Sequence, residues 1–120
     1  MAHAIDTFIA SYVETALWSS TDDEGTPLDE NYGPQDIAPA TLRTMAKDCV
    51  SFLEHHGALI AESGLSPKRA GHDFWRTRNR HGAGFWDEGL GRVGDELTDA
   101  AHAYGSFDLY VGSDDLIHGS

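Results

Sequence analysis

Cysteine is nearly absent from this sequence, which contains Cys49 and no other. A single thiol excludes an internal disulfide and any metal site built from several cysteines. Cys49 falls on the apolar face of a predicted helix, so we expect a buried and unreactive thiol.

Long apolar runs are also absent, since no stretch approaches the ~18–20 residues that a membrane-spanning helix needs. The first residues, MAHAIDTFIASY, lack the charged and apolar regions of a signal peptide. We therefore expect a cytoplasmic protein. A length of 120 residues predicts one domain, 1–120, with a single modest core.

Basic residues are few and unevenly placed. The chain has 20 Asp and Glu against 8 Lys and Arg, which gives a formal net charge of −12 at pH 7. Residues 1–42 carry eight acids without any Lys or Arg, and residues 87–120 carry eight acids and one base, Arg92. Such a surface repels nucleic acid and anionic membranes and favours a cationic partner. Solubility alone is the alternative explanation of the same charge.

The first half of the sequence predicts two helices. Residues 3–18 place apolar side chains at helical spacing, and residues 39–62 do the same after Pro39, with Gly64 as a C-cap and Pro67 as a stop. Between them, residues 19–36 are rich in Ser, Asp, Gly and Pro. They predict a long acidic loop, and a loop of this length in a compact domain is either mobile or functional.

From residue 71 the pattern alternates, and it predicts two short strands at 71–77 and 83–87 joined by a turn at 78–82. On such strands one member of each pair, Phe74-Trp75 and Phe85-Trp86, faces the core. A third helix is predicted at 90–104 and a third strand at 107–111. The order α-α-β-β-α-β predicts an α+β domain with a small antiparallel three-stranded sheet packed with helices.

The predicted hairpin contains a cluster of titratable groups, His72, Asp73, Arg76 and His81. Paired histidines facing each other across a hairpin could bind a metal beside a carboxylate, and a His–Asp pair could serve acid–base chemistry. The surrounding glycines match neither a nucleophile elbow, a P-loop nor a dinucleotide fingerprint. A small metal-dependent or hydrolytic enzyme is therefore an alternative hypothesis for this stretch.

Aromatic and basic residues in the same stretch could also form a platform for stacked bases. The acidic charge of the chain disfavours that use, and packing with an arginine over a ring explains the same residues. A structural hairpin predicts that replacing Arg76 or Arg78 with Ala costs little stability unless the arginine stacks on a ring. Truncating a buried aromatic side chain is expected to cost about 3–5 kcal/mol.

Three stretches, ETALWSSTDDEGTPLDENY, DIAP and AGHDFWRTRNRHGAGFWDEGLGRVGDELTDAAHAYGSFDLYVG, together resemble a widespread family of small bacteriophage and prophage proteins. The most specific part is GHDFWxTRNxHGxGFWD, in which Arg80 stands where glycine is expected. The resemblance covers nearly the whole chain and supplies no catalytic residues. It implies a phage or mobile-element protein that acts inside a bacterial host.

These observations lead to the hypothesis of a non-enzymatic, cofactor-free binding protein whose partner is a basic, nucleic-acid-binding host protein. An anti-defence inhibitor, such as an anti-CRISPR or anti-restriction protein, would use an acidic surface of this kind. An accessory protein of phage DNA metabolism is a further alternative. The candidate binding residues are the acids of the predicted loop: Asp22, Asp23, Glu24, Asp29, Glu30 and Asp36.

Overall fold

The computed structural model describes residues 2–82 and 84–120, and its order of elements is four α-helices followed by one β-hairpin. The predicted α+β order α-α-β-β-α-β with a three-stranded sheet is therefore wrong. Within the described residues the fold is mainly helical, with one two-stranded antiparallel sheet. The elements are α1 (Ala2–Ser19), α2 (Pro39–Ser63), α3 (Pro67–Arg78), α4 (Arg92–His102), β1 (Leu109–Val111) and β2 (Ile117–Gly119).

Helices α1 and α2 confirm the predictions made from helical spacing. Pro39 is the first residue of α2, where its missing N–H leaves no backbone donor unpaired, and Gly64 ends the helix at a φ of 79°. Cys49 is fully buried on the inner face of α2, and burial raises the pKa of its thiol. The prediction of a buried thiol is confirmed.

Helix α3 replaces the first predicted strand and its turn. Ser66 caps the helix by accepting a hydrogen bond from the Arg69 N–H at 3.1 Å, and Pro67 occupies the first turn instead of acting as a stop. Both Phe74 and Trp75 are buried, because α3 is covered by its neighbours on much of its circumference. The alternation of polar and aromatic residues over 71–77 therefore belongs to a helix whose buried face is wide.

The second predicted strand, 83–87, is also wrong. Phe85–Asp87 form a short 3₁₀ helix, and Ala83 lies outside the described residues. Phe85 N–H donates to Thr77 Oγ1 at 3.1 Å, which holds this turn against the end of α3. Phe85 is buried and Trp86 is 54% exposed, so the prediction of one buried member holds for this pair.

The last two elements, β1 and β2, form an antiparallel hairpin. Its residue pairs are Leu109–Gly119, Tyr110–His118 and Val111–Ile117. The predicted strand at 107–111 is confirmed in its second half, and its partner β2 was not predicted. Ile117 also forms a parallel bridge with Ile37, where Ala38 N–H donates to the Ile117 carbonyl at 2.8 Å. The hairpin is thereby attached to the segment that precedes α2.

One cluster of buried apolar side chains joins the four helices. Its centre is aromatic: the rings of Phe52 and Phe74 stack with centroids 4.2 Å apart, and Phe8, Tyr12 and Phe85 surround them. Within the described residues, every helix is too short or too polar to span a lipid bilayer.

Arg78, for which the sequence predicts a small cost of replacement unless it stacks on a ring, lies within this core at 4% exposure. Its guanidinium carbon lies 5.5–5.7 Å from the ring centroids of Phe74, Tyr104 and Phe107. Its guanidinium donates to Tyr12 Oη, to Asp48 Oδ2 and to two backbone carbonyls, those of Tyr104 and Gly105. The exception for a stacked arginine therefore applies to Arg78. The last turn of α3 points inward, where the five donors of the guanidinium can satisfy several acceptors at once.

Candidate functional site

The acidic segment, which we define as residues 20–36, is a folded part of the molecule. Asp22 Oδ1 accepts hydrogen bonds from the N–H groups of Glu24 at 2.9 Å and Thr26 at 3.0 Å. The Asp22 N–H donates to the Thr26 carbonyl at 2.9 Å, which closes the turn. Asp22 therefore shapes the segment and leaves Asp23 and Glu24 exposed at its tip.

The second half of the acidic segment consists of two 3₁₀ helices, Leu28–Glu30 and Pro34–Asp36. Leu28 is buried and anchors the first of them, which leaves Asp29 and Glu30 exposed. Asp36 Oδ2 accepts from the Gly33 N–H at 2.8 Å and caps the second. Of the six candidate acids, two stabilise the backbone and four are free to meet a partner: Asp23, Glu24, Asp29 and Glu30.

The turn between β1 and β2 adds further carboxylates to this surface. Tyr32 Oη donates to Asp115 Oδ1 at 3.3 Å. Partial burial, and then the carboxylate of Asp115, raise the pKa of Tyr32, with smaller contributions from Asp22 and Asp36. The acidic segment and the turn between β1 and β2, which are distant in the sequence, therefore meet at the Tyr32 hydroxyl.

Beside the acidic segment lies a groove of about 500 Å³, which we call the α1 groove. One wall is α1 and the other is the second half of the acidic segment, with Leu42 of α2 between them. The lining is largely apolar, and acids stand at its edge. Its lining residues are Asp6, Ile9, Ala10, Val13, Glu14, Leu17, Asp29, Tyr32, Gly33, Pro34 and Leu42.

Sequence reasoning missed the α1 groove, although its signal was present. The sequence shows a wide apolar stripe on α1, and the core does not take up all of it: Ile9 stays partly exposed, and Ala10 beside it is exposed. Asp6 and Glu14 were counted among the acids of residues 1–42 but were not placed beside a groove.

The structure brings together only two of the four residues proposed for the alternative site, His72 and Asp73. His72 Nδ1 lies 3.1 Å from Asp73 Oδ1, and Arg69 Nε lies 3.7 Å from the same oxygen and 2.5 Å from Glu88 Oε2. Asp73 is fully buried, and burial, followed by the nearby carboxyl group of Glu88, raises its pKa to about 8. Its Oδ2 has no hydrogen-bond partner among the described residues. The Asp73 carboxyl group is therefore a much weaker acid than an exposed aspartate.

The other two residues of that alternative lie elsewhere. The Arg76 guanidinium lies over the ring of Trp18, 5.2 Å from its centroid. His81 lines a separate cavity of about 300 Å³ near Trp75 and Asp108, where His72 is absent. Because 71–78 is a helix, His72 and His81 do not face each other across a hairpin. Among the residues that the structure describes, no three His, Cys, Asp or Glu side chains are grouped to hold a metal ion.

Comparison of the chain with protein-family models, with curated proteins and with solved structures found no match.

Proposed function

We propose that this protein acts by binding a basic partner through the acidic segment. The observation that carries the proposal is the folded arrangement of this segment: Asp22 and Asp36 hold the backbone, and four neighbouring acids are exposed. Residues 1–42 contain no Lys or Arg to neutralise them. A fixed array of like charges favours a partner of opposite charge and accelerates their encounter.

The partner that fits best is a nucleic-acid-binding protein of a bacterial host. Such proteins carry clusters of Lys and Arg that neutralise phosphates, and the same clusters can accept carboxylates. Together with the resemblance to phage proteins, this supports an anti-defence inhibitor that occupies a channel built for DNA or RNA. The inhibitor would then compete directly with nucleic acid.

The test is capture of host proteins by the immobilised protein and by two charge variants. The first variant neutralises the exposed acids of the segment, as Asp23→Asn, Glu24→Gln, Asp29→Asn and Glu30→Gln. The matched control neutralises four exposed acids elsewhere: Glu54→Gln, Asp95→Asn, Asp99→Asn and Asp108→Asn. Both variants change the net charge equally, so a difference between them reports position.

We expect capture of a basic protein from a nuclease-treated lysate at low salt, loss of it at high salt through screening, and competition by DNA or RNA. The segment variant should lose the partner and the control should keep it. Equal capture by both variants, or capture of no nucleic-acid-binding protein at low salt, would contradict the proposal.

A hydrolytic role for His72 and Asp73 has less support. A buried carboxyl group whose pKa is raised is a poorer partner for orienting a histidine than an ordinary carboxylate is. Arg76 is occupied with Trp18, and His81 lies in another cavity. The contact between His72 and Asp73 is better explained as part of the packing between α3 and Glu88, which follows the 3₁₀ helix at Phe85–Asp87.

A further inference from the structure

We infer that the α1 groove receives the apolar face of a cationic amphipathic helix belonging to the partner. This inference rests on the proposed function and deepens it, because it adds an apolar anchor to a contact based on charge. An acidic surface alone attracts any cation, whereas an apolar groove with acidic edges selects a segment that has both properties.

The spacing along α1 defines what fits. Residues 6, 9, 10, 13, 14 and 17 repeat at three and four positions, so they follow one face of the helix. Asp6 and Glu14, both exposed, stand about 12 Å apart along the helix axis at a rise of ~1.5 Å per residue. Apolar side chains lie between them.

The complementary ligand is therefore a helix with two cations about two turns apart and apolar residues between them on the same face. Asp29 on the facing wall adds a third carboxylate to the edge. The groove volume of about 500 Å³ lies within the range of pockets that enclose ligand groups.

Charge argues against the other occupants of this groove. A second copy of the chain would bring its own net charge of −12 to an acidic edge, which opposes association. An uncharged apolar molecule would fill the groove and leave the carboxylates at its edge without a counter-charge. A cationic amphipathic helix can pack its apolar side chains against the lining of the groove and pair its cations with the carboxylates at the edge.

The experiment uses a fluorescein-labelled helical peptide with lysines about two turns apart and leucines between them on the same face. A second peptide of equal charge has serines in place of the leucines. Binding to the full chain is measured by fluorescence anisotropy, and methyl chemical shifts of Ile9 and Leu42 report the place of binding.

We expect the leucine peptide to bind at least about tenfold more tightly than the serine peptide. Ala10→Phe places a ring in the groove without changing charge, and it should weaken binding about tenfold or more. Ala10→Gln fills the same place with an uncharged, helix-forming side chain and should also weaken binding. The control Ala58→Phe, at an exposed position of α2, should leave binding unchanged.

Equal affinity for the two peptides, absence of binding by either, or full affinity in both Ala10 variants would overturn the inference. These results would leave the proposed function standing if capture of a basic partner still depended on Asp23, Glu24, Asp29 and Glu30. Failure of that capture alone would instead contradict the proposed function. The Ala10 variants and the charge variants therefore separate the two.

Discussion

Arg78 donates a hydrogen bond to the hydroxyl of Tyr12 at 2.9 Å, and both side chains lie within the core. The same guanidinium donates to Asp48 Oδ2 at 2.8 Å and to the Gly105 carbonyl at 2.8 Å. This one side chain therefore joins α1, α2, α3 and the end of α4. Its removal would leave a hydroxyl, a carboxylate and backbone carbonyls without their donor.

Arg78→Ala should accordingly lower the free energy of unfolding by about 1–3 kcal/mol, because the buried Tyr12 hydroxyl loses its hydrogen-bond partner. Urea denaturation followed by circular dichroism measures the change. Arg80→Ala is the control, because Arg80 is exposed two residues further along the chain. A loss for Arg78→Ala no larger than that of Arg80→Ala would show that the buried network contributes little.

Two helical glycines provide a matched pair. A Cβ at Gly71 of α3 would collide with the Phe8 carbonyl oxygen of α1, whereas a Cβ at Gly57 of α2 would meet nothing within 4 Å. Gly71→Ala should force α1 and α3 apart and cost about 1–3 kcal/mol or more. Gly57→Ala should gain about 0.5–1 kcal/mol from helix propensity. Thermal melts of the two variants should shift in opposite directions, and a shift in the same direction would contradict the close approach of α1 and α3.

The neighbours Phe85 and Trp86 should differ sharply in their contribution to stability. Phe85 is fully buried and Trp86 is 54% exposed. Phe85→Ala should cost about 3–5 kcal/mol because it leaves a cavity in the aromatic core. Trp86→Ala should change the free energy of unfolding by less than about 0.5 kcal/mol. Chemical denaturation measures the free energy of unfolding of both variants. Similar decreases for the two would contradict the prediction and would mean that Trp86 makes stabilising contacts despite its exposure.

Asp73 should make stability depend on pH. Its pKa is raised from 3.8 to about 8, mainly by burial and then by the neighbouring Glu88, while Arg69 opposes the shift and Asp87 adds to it. Between about pH 4 and 8 the folded state binds more protons at this group than the unfolded state does. The free energy of unfolding should therefore fall as pH rises through this range. His72, whose pKa is lowered by burial, contributes in the opposite direction over the acidic part of the range.

Asp73→Asn keeps the size of the side chain and removes the titrating group. The variant should flatten the fall in stability and exceed the wild type at pH 8 by on the order of 1–3 kcal/mol. Asp99→Asn, at an exposed position of α4, should leave the pH profile unchanged. Denaturation midpoints across this pH range test the point, and an unaltered slope in Asp73→Asn would assign the dependence to other groups.

The sequence was sufficient for α1 and α2 because their apolar periods are long and their ends carry clear signals, Pro39 and Gly64. It was insufficient for α3, where adjacent aromatic residues imitate strand alternation over a short range. Ser66 and Pro67 form a normal helix start, but Pro67 was interpreted as a stop for α2. Burial on several sides of α3 comes from tertiary packing, which a local pattern does not contain.

The candidate site, too, was predictable from the sequence only in part. The acids at residues 22–36 are visible in the sequence, and their exposure follows from local turns. The α1 groove needs Asp6 and Glu14 of α1 opposite Asp29, and only the folded chain sets these walls side by side. Likewise, the proximity of Tyr32 to Asp115 depends on how the hairpin is placed.

The bridge between Ile37 and Ile117 has a consequence for the order of folding. It joins residues 80 positions apart (117 − 37), so forming it directly from the unfolded chain closes a long loop and costs conformational entropy. Helices α1 and α2 can form from local contacts before that closure occurs. The amides at the end of the acidic segment should therefore gain protection from hydrogen exchange last during refolding. The surface that we assign to the partner would then be completed only after most of the core has formed.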